Sequence, residues 1–209
     1  DAVFSGHAQY EGTRLTVSTN QSVATHMLPP LLEKYRGLFP KVEISIHNMR
    51  TAEIIESVAN AQTDVGIILI DPQREELEAR PVAPCEMILI TPSNHPLSHR
   101  RKVSLADITE YPFLSYTQGT ETRRFIDRPF EQRKLKTPVA MALGSTDLII
   151  NYVSLGYGIS IIHNLNIDVA RQDLHTRSLK AYYPRQYIYL VTRRDEELTP
   201  AVKGFVDLF

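Results

Sequence analysis

Three short stretches of this 209-residue chain hold the groups whose types and spacing suit recognition of a small molecule. They are Ser18-Thr19-Asn20-Gln21-Ser22, Thr117-Gln118-Gly119-Thr120-Glu121-Thr122 and Gly144-Ser145-Thr146-Asp147. Each follows an apolar or β-branched run and precedes a helical segment, which sets hydroxyl and amide groups at the carboxyl end of a strand. There they stand beside the exposed N–H groups and positive dipole end of the helix that follows. Two uses compete for such side chains. They cap helices without any ligand, and they donate charge-assisted hydrogen bonds, about 1.5–3 kcal/mol each, to a polar or anionic ligand. Taken as a set drawn from both halves of the chain, the three clusters point to one binding cleft. Glu121 would repel an anion there unless it turns away, and would favour a ligand carrying an amine.

Catalytic and metal chemistry are less well supplied. Seven histidines are present, but His95-Pro96-Leu97-Ser98-His99 contains a proline and a turn composition that spoil a helical pair of ligands. His26, His47 and His163 stand outside any motif and read as structural side chains. No G-x-S-x-G elbow, P-loop or G-x-G-x-x-G occurs, and no carboxylate pair or nucleophile constellation stands out. We therefore expect no enzyme, no metal and no cofactor. Cys85 reads as a partly buried small side chain, and being the one cysteine it excludes an internal disulfide and fits a reducing, cytoplasmic setting. His99-Arg100-Arg101-Lys102, the densest basic run, is read as a solvated loop, with contact to DNA or another subunit as the alternative. Arg123, at the start of a helix, reaches either a carboxylate in the cleft or a surface ion-pair partner.

The elements that must position these groups alternate. Strands are expected at Arg14–Thr19, Val42–Asn48, Asp64–Ile70, Glu86–Pro92, Phe113–Thr117, Val139–Leu143, Ile159–His163 and Tyr187–Arg193, with helical crossovers between them. Leu31, Leu32, Tyr35, Leu38 and Phe39 fall at helical spacing, as do Ile54, Ile55, Val58 and Ala59, and later Leu148, Ile149, Tyr152, Val153 and Leu155. Pro29 and Pro30 suit a first helical turn. Gly156 and Gly158 stop the third of these helices, and Thr199 caps a last helix running from Pro200 to Phe209. Two β/α sets predict an α/β fold of two Rossmann-like lobes joined by two crossover strands. The expected division is a linker remnant over 1–13, lobe I over 14–85 plus 190–209, and lobe II over 86–189.

The composition, 43% hydrophobic and 22% charged, is that of a soluble globular chain. No apolar run approaches the ~18 residues of a membrane span. A net charge of −1 gives this piece no electrostatic reason to hold nucleic acid by itself. The first thirteen residues lack the basic and apolar stretches of a secretory signal.

Thr13-Arg-Leu-Thr-Val-Ser-Thr19, Leu28-Pro-Pro-Leu-Leu-Glu-Lys-Tyr35 and Phe39-Pro-Lys-Val-Glu-Ile44 resemble the opening of the effector-binding domain of LysR-type transcriptional regulators. Asp64-Val-Gly-Ile67, Leu89-Ile-Thr-Pro92 with His95-Pro-Leu97, and Leu155-Gly-Tyr-Gly-Ile-Ser-Ile-Ile162 continue the resemblance in order from Gly12 to Phe209. Phe113-Leu-Ser-Tyr-Thr-Gln-Gly119 and Thr146-Asp-Leu-Ile-Ile-Asn-Tyr-Val153 are most similar to the CysB-like branch that governs sulfur assimilation.

The resemblance implies a periplasmic-binding-protein-like (type II) fold that senses a co-inducer, a small anion or an amino-acid derivative. The implied effector-binding residues are Thr19, Asn20, Gln21, Ser22, Leu69, Thr120, Glu121, Thr122 and Thr146. The family's Thr-x-Thr-Gln pattern is here Asn20-Gln21-Ser22-Val23, and Leu69 is apolar where a hydroxyl is expected, so the donor set departs from one suited to a sulfate-type effector. It also implies a cytoplasmic homodimer of this domain, tetrameric at full length. DNA would be read only through a missing N-terminal domain, and no membrane partner is implied. An effector preferring one lobe arrangement by about 1–3 kcal/mol shifts the population 5- to 150-fold. A transporter's periplasmic solute-binding protein is the alternative.

Overall fold

Arg14–Thr19 (β1) is buried along five of its six residues, as a strand needs to be when it runs through the middle of a sheet covered on both faces. In the computed structural model, which describes residues 13–167 and 171–209, β1 pairs in parallel with Glu43–Asn48 (β2) and with Val65–Ile68 (β3). The linker expected over 1–13 lies outside the described residues except for Thr13. The chain divides into two units, one running to Pro84 and resuming over Gln186–Phe209, the other Cys85–Arg185.

The first unit is built on a five-stranded sheet in the order β2-β1-β3-β10-β4, where β4 is Leu77–Cys85 and β10 is Gln186–Arg193. β10 runs antiparallel to β3, with Leu190 opposite Ile67. Gln21–His26 (α1), Leu28–Leu38 (α2), Thr51–Ala59 (α3) and Pro200–Val206 (α7) cover it. Pro29 and Pro30 sit in the first turn of α2, where the missing N–H groups cost nothing. Thr199 caps α7 by accepting from Val202 N–H.

Tyr35 of α2 is fully buried, donates its hydroxyl to the Ala201 carbonyl at 2.9 Å, stacks on Phe39 and meets Phe205 edge-on. Burial, with Asp64 adding to it, pushes its phenol up to about 12. Under β1, a chain of buried hydroxyls, Ser18 to Thr63 to Ser57 at 2.6 Å each, fixes the turn ahead of β3. Arg193 holds the Val58 and Thr63 carbonyls from the other side, both at 2.9 Å.

The second unit has a three-stranded antiparallel sheet, Ser160–His163 (β8), Met87–Pro92 (β5) and Leu174–Ser178 (β9) in that order. A parallel pair, Phe113–Tyr116 (β6) and Val139–Leu143 (β7), joins it through a bridge between Phe113 and Ile159. Leu105–Ile108 (α4), Glu121–Gln132 (α5) and Thr146–Ser154 (α6) complete it. One apolar cluster runs through Ile88, Ile90, Phe113, Leu114, Ile126, Phe130, Ile149, Val153 and Ile161, all at most 5% exposed. At about 1.5–3 kcal/mol for each large side chain, that burial dominates the unit's stability. Gly158 is held against the Pro112 carbonyl so closely that a Cβ there would stand 2.3 Å from the oxygen.

Two strands differ from expectation by being present at all. β4 carries Arg80, Pro81 and Pro84 and shows no clean alternation, yet it occupies the end of its sheet, where proline is tolerated. β9, Leu-His-Thr-Arg-Ser, is likewise an end strand with one buried apolar residue. The last helix ends at Val206 rather than Phe209.

Candidate functional site

The parallel register of β1 with β2 and β3 brings the carboxyl ends of all three strands to one edge, because Thr19 stands opposite both Asn48 and Ile67. There Thr19 is fully buried and its hydroxyl donates to the Ile67 carbonyl at 2.7 Å. That side chain ties β1 to β3 rather than facing solvent. Asn20 is the N-cap of α1: its Oδ1 accepts from Val23 N–H at 3.1 Å, which leaves the two Nδ2 protons as donors. Gln21 is exposed and Ser22 half-buried in the first turn of α1. Leu69, half-buried, lies just past the end of β3, two residues beyond the partner of Thr19. These five residues share one edge of the first unit's sheet.

In the second unit the register Tyr116 to Leu143 aligns the ends of β6 and β7, and Thr117 N–H donates to the Leu143 carbonyl at 3.1 Å. Helices α5 and α6 therefore start side by side. The turn into α5 uses Gly119 at φ 86°, a left-handed conformation that glycine adopts without strain. Thr120 is consumed by capping: its Oγ1 accepts from Arg123 N–H at 3.3 Å and donates to the Thr117 carbonyl at 3.0 Å. Ser145 does the same for α6 by accepting from Leu148 N–H. Glu121 is exposed and Thr122 half-buried, both in the first turn of α5. Arg123 pairs with Asp127 at 2.5 Å and donates to the Tyr116 carbonyl at 3.1 Å, so it braces the end of β6.

Thr146, the first residue of α6, is 7% exposed, and its Oγ1 lies 2.8 Å from the Tyr116 hydroxyl. Burial is the main reason the Tyr116 phenol is held far above its ordinary range, with Asp147 adding to it and the bond to Thr146 opposing it. The phenol thus stays protonated and fixes the rotamer of Thr146. Sequence reasoning missed Tyr116 as part of this arrangement. The available signal was strand alternation, which puts Leu114 and Tyr116 on the opposite face of β6 from Phe113 and Ser115.

Of the candidate residues, then, Thr19, Asn20, Gln21, Ser22 and Leu69 gather in the first unit, and Thr120, Glu121, Thr122 and Thr146 in the second. Thr19 and Thr120 are engaged in holding backbone. In the first unit the Asn20 amide and Ser22, and in the second Thr122 and Thr146, stand at helix starts, each set suited by itself to donating hydrogen bonds to a polar or anionic group. No cluster of three or more His, Cys, Asp or Glu side chains fit to hold a metal occurs among the described residues. No described helix is long and apolar enough to cross a membrane.

Residues 8–209 match the LysR substrate binding domain family. The HTH-type transcriptional regulator CysL of Bacillus subtilis strain 168 is 27% identical over 173 residues, 83% of this chain and 57% of that protein. The HTH-type transcriptional regulator cbl of Escherichia coli strain K12 is 31% identical over 152 residues, 71% of this chain and 47% of that protein. The chain spans about half the length of these relatives. The crystal structure of the cofactor-binding domain of the Cbl transcriptional regulator superposes with a TM-score of 0.82 at 25% identity, covering 94% of this chain and 87% of that one.

Proposed function

Since the chain belongs to the LysR substrate binding domain family, we propose that it senses a small-molecule effector for a transcriptional regulator of sulfur or related metabolite assimilation. What carries the reading is the family match over residues 8–209, with hydrogen-bonding groups at the carboxyl ends of β1, β6 and β7. Its relatives include the HTH-type transcriptional regulators CysL and cbl, and none of this favours a transporter's solute-binding protein.

In this reading the effector-binding residues are Asn20, through its amide, Gln21 and Ser22 in the first unit, and Thr122 and Thr146 in the second. Thr19 and Thr120 act by holding the turns, and Leu69 supplies an apolar wall. The effector is a small anion or an amino-acid derivative. Exposed Glu121 in the first turn of α5 and Asp147 in the first turn of α6 disfavour a compact dianion and suit a zwitterion whose carboxylate meets the helix starts and whose amine meets an acid. The protein's role is regulatory rather than catalytic. At full length it works in the cytoplasm as a homo-oligomer that reads DNA through an N-terminal domain.

The test is a thermal-shift screen of sulfate, thiosulfate, acetylserines, amino acids and aromatic acids. A true effector stabilises the folded state by RT ln(1 + [L]/Kd), about 2.7 kcal/mol at a hundredfold excess over Kd, and the melting temperature rises accordingly. Absence of any stabilising compound across these classes would count against the proposed ligand chemistry.

A further inference from the structure

One cation in the second unit is held in a way the effector chemistry does not use. Arg177 lies on β9 two residues from His175, so both stand on the same face of that end strand. Its guanidinium donates to the carbonyls of Arg100 at 2.6 Å, Arg101 at 3.3 Å and Ser98 at 3.5 Å. Its Nε is buried with no acceptor among the described residues. Backbone dipoles, not a carboxylate, receive its protons, and the effect is to clamp the segment 98–101 onto the strand.

The clamped loop carries three more cations outward. Arg100 pairs with Asp107. Arg101 and Lys102 are exposed, and their side chains make no hydrogen bond or ion pair among the described residues. His99 is exposed beside them. Burial first, then the charges of Arg177 and His99, hold the His175 imidazole below its ordinary pKa, which places these three groups in one electrostatic neighbourhood. Arg177, Arg100, Arg101 and Lys102 thus gather at this corner, where Asp107 pairs with Arg100, in a chain whose net charge is −1.

We propose that the Arg177-clamped loop 99–102 is a sequence-independent contact for the phosphodiester backbone of DNA. A protein partner is less well served. Leu97 and Val103, which flank the loop, are buried, so neither offers an apolar anchor to a protein surface. Phosphates need only positioned cations. The relatives are helix-turn-helix regulators, and a domain tethered to a DNA reader meets its duplex at roughly millimolar effective concentration, where a weak contact suffices.

The experiment titrates the 209-residue chain into a fluorescein-labelled duplex of unrelated sequence, following anisotropy from about 20 to 200 mM salt. Contact with about three phosphates gives a slope of log K against log salt near −2.7, roughly a 40-fold loss between 50 and 200 mM. The Arg101→Ala/Lys102→Ala variant should reduce that slope to about −0.9. It should leave both the melting temperature and any effector-induced shift unchanged, which separates this contact from the sensing function. No binding at the lowest salt, an unchanged slope in the variant, or competition by poly-L-glutamate equal to that of duplex per charge would each overturn the proposal. The last would point to an acidic protein partner.

Discussion

The buried pair formed by Tyr116 and Thr146 allows a quantitative test of how the start of α6 is held. Tyr116→Phe deletes a hydroxyl that lies 2.8 Å from Thr146 Oγ1 in a site where Thr146 is 7% exposed and the Tyr116 side chain is buried. Losing one partner of a buried hydrogen bond costs about 1–3 kcal/mol, because the remaining group has surrendered its water. Thr146→Val removes the other partner at similar volume and should cost a comparable amount. Replacing both leaves two apolar groups in contact, so the double variant should be little worse than either single one, with a coupling energy of about 1–2 kcal/mol. For a chain of this size each single variant should melt about 2–6 °C lower. Differential scanning calorimetry of the four proteins measures the cycle. Strictly additive shifts, or single variants that melt like the parent, would refute the claim that the phenol holds Thr146 in place.

Other outcomes follow from particular contacts. Gly158→Ala places a Cβ 2.3 Å from the Pro112 carbonyl oxygen, a backbone atom fixed by its bond to Ile159 N–H, so the melting temperature should fall by more than about 5 °C. A shift under a degree would show that the approach is not confined. Ser115→Ala removes a fully buried hydroxyl that has no partner among the described residues, and should be neutral or stabilising by up to about 1 kcal/mol. Clear destabilisation on calorimetry would mean that Oγ is bonded after all. His95 caps a short turn by accepting Leu97 N–H on Nδ1, and burial holds its pKa below 6.5. The folded state therefore favours the neutral ring. The stability this gives is complete above pH 6.5 and is lost progressively as the pH falls through the lower, folded-state value. His95→Asn, which keeps a capping acceptor, should flatten that part of the pH–stability curve. An unchanged slope would assign the dependence elsewhere, with His175 the next group to try.

Of the strands that lead to the candidate residues, β1, β3 and β6 were legible because they are buried runs whose apolar and β-branched side chains announce themselves. β4 and β9 were not, since a strand at the end of a sheet needs few buried side chains and accepts Pro81, Pro84 or Arg177. The polar clusters were readable for a related reason: Ser, Thr and Asn before a helix look alike whether they cap or bind. Only coordinates separate the two uses. Thr120 spends its hydroxyl on Arg123 N–H and the Thr117 carbonyl, whereas Asn20 caps with its oxygen and keeps its amide protons. Arg123 likewise resolves into a brace for β6, through Asp127 and the Tyr116 carbonyl, a choice that depends on rotamers and not on spacing. Arg177 gave no sequence signal, because its partners are backbone carbonyls more than seventy residues earlier.

The central proposal is that the polar groups following β1 and those following β6 and β7 each take part in effector binding. Isothermal titration of a compound found by thermal shift, against the parent, Asn20→Ser and Thr122→Ala, tests it most directly. Serine preserves the cap of α1 while deleting the amide donors, and Thr122 has no capping duty. Both variants should lose about five- to tenfold in affinity for that one compound, with melting temperatures near that of the parent. A variant that binds as tightly as the parent would show that its cluster takes no part in effector binding.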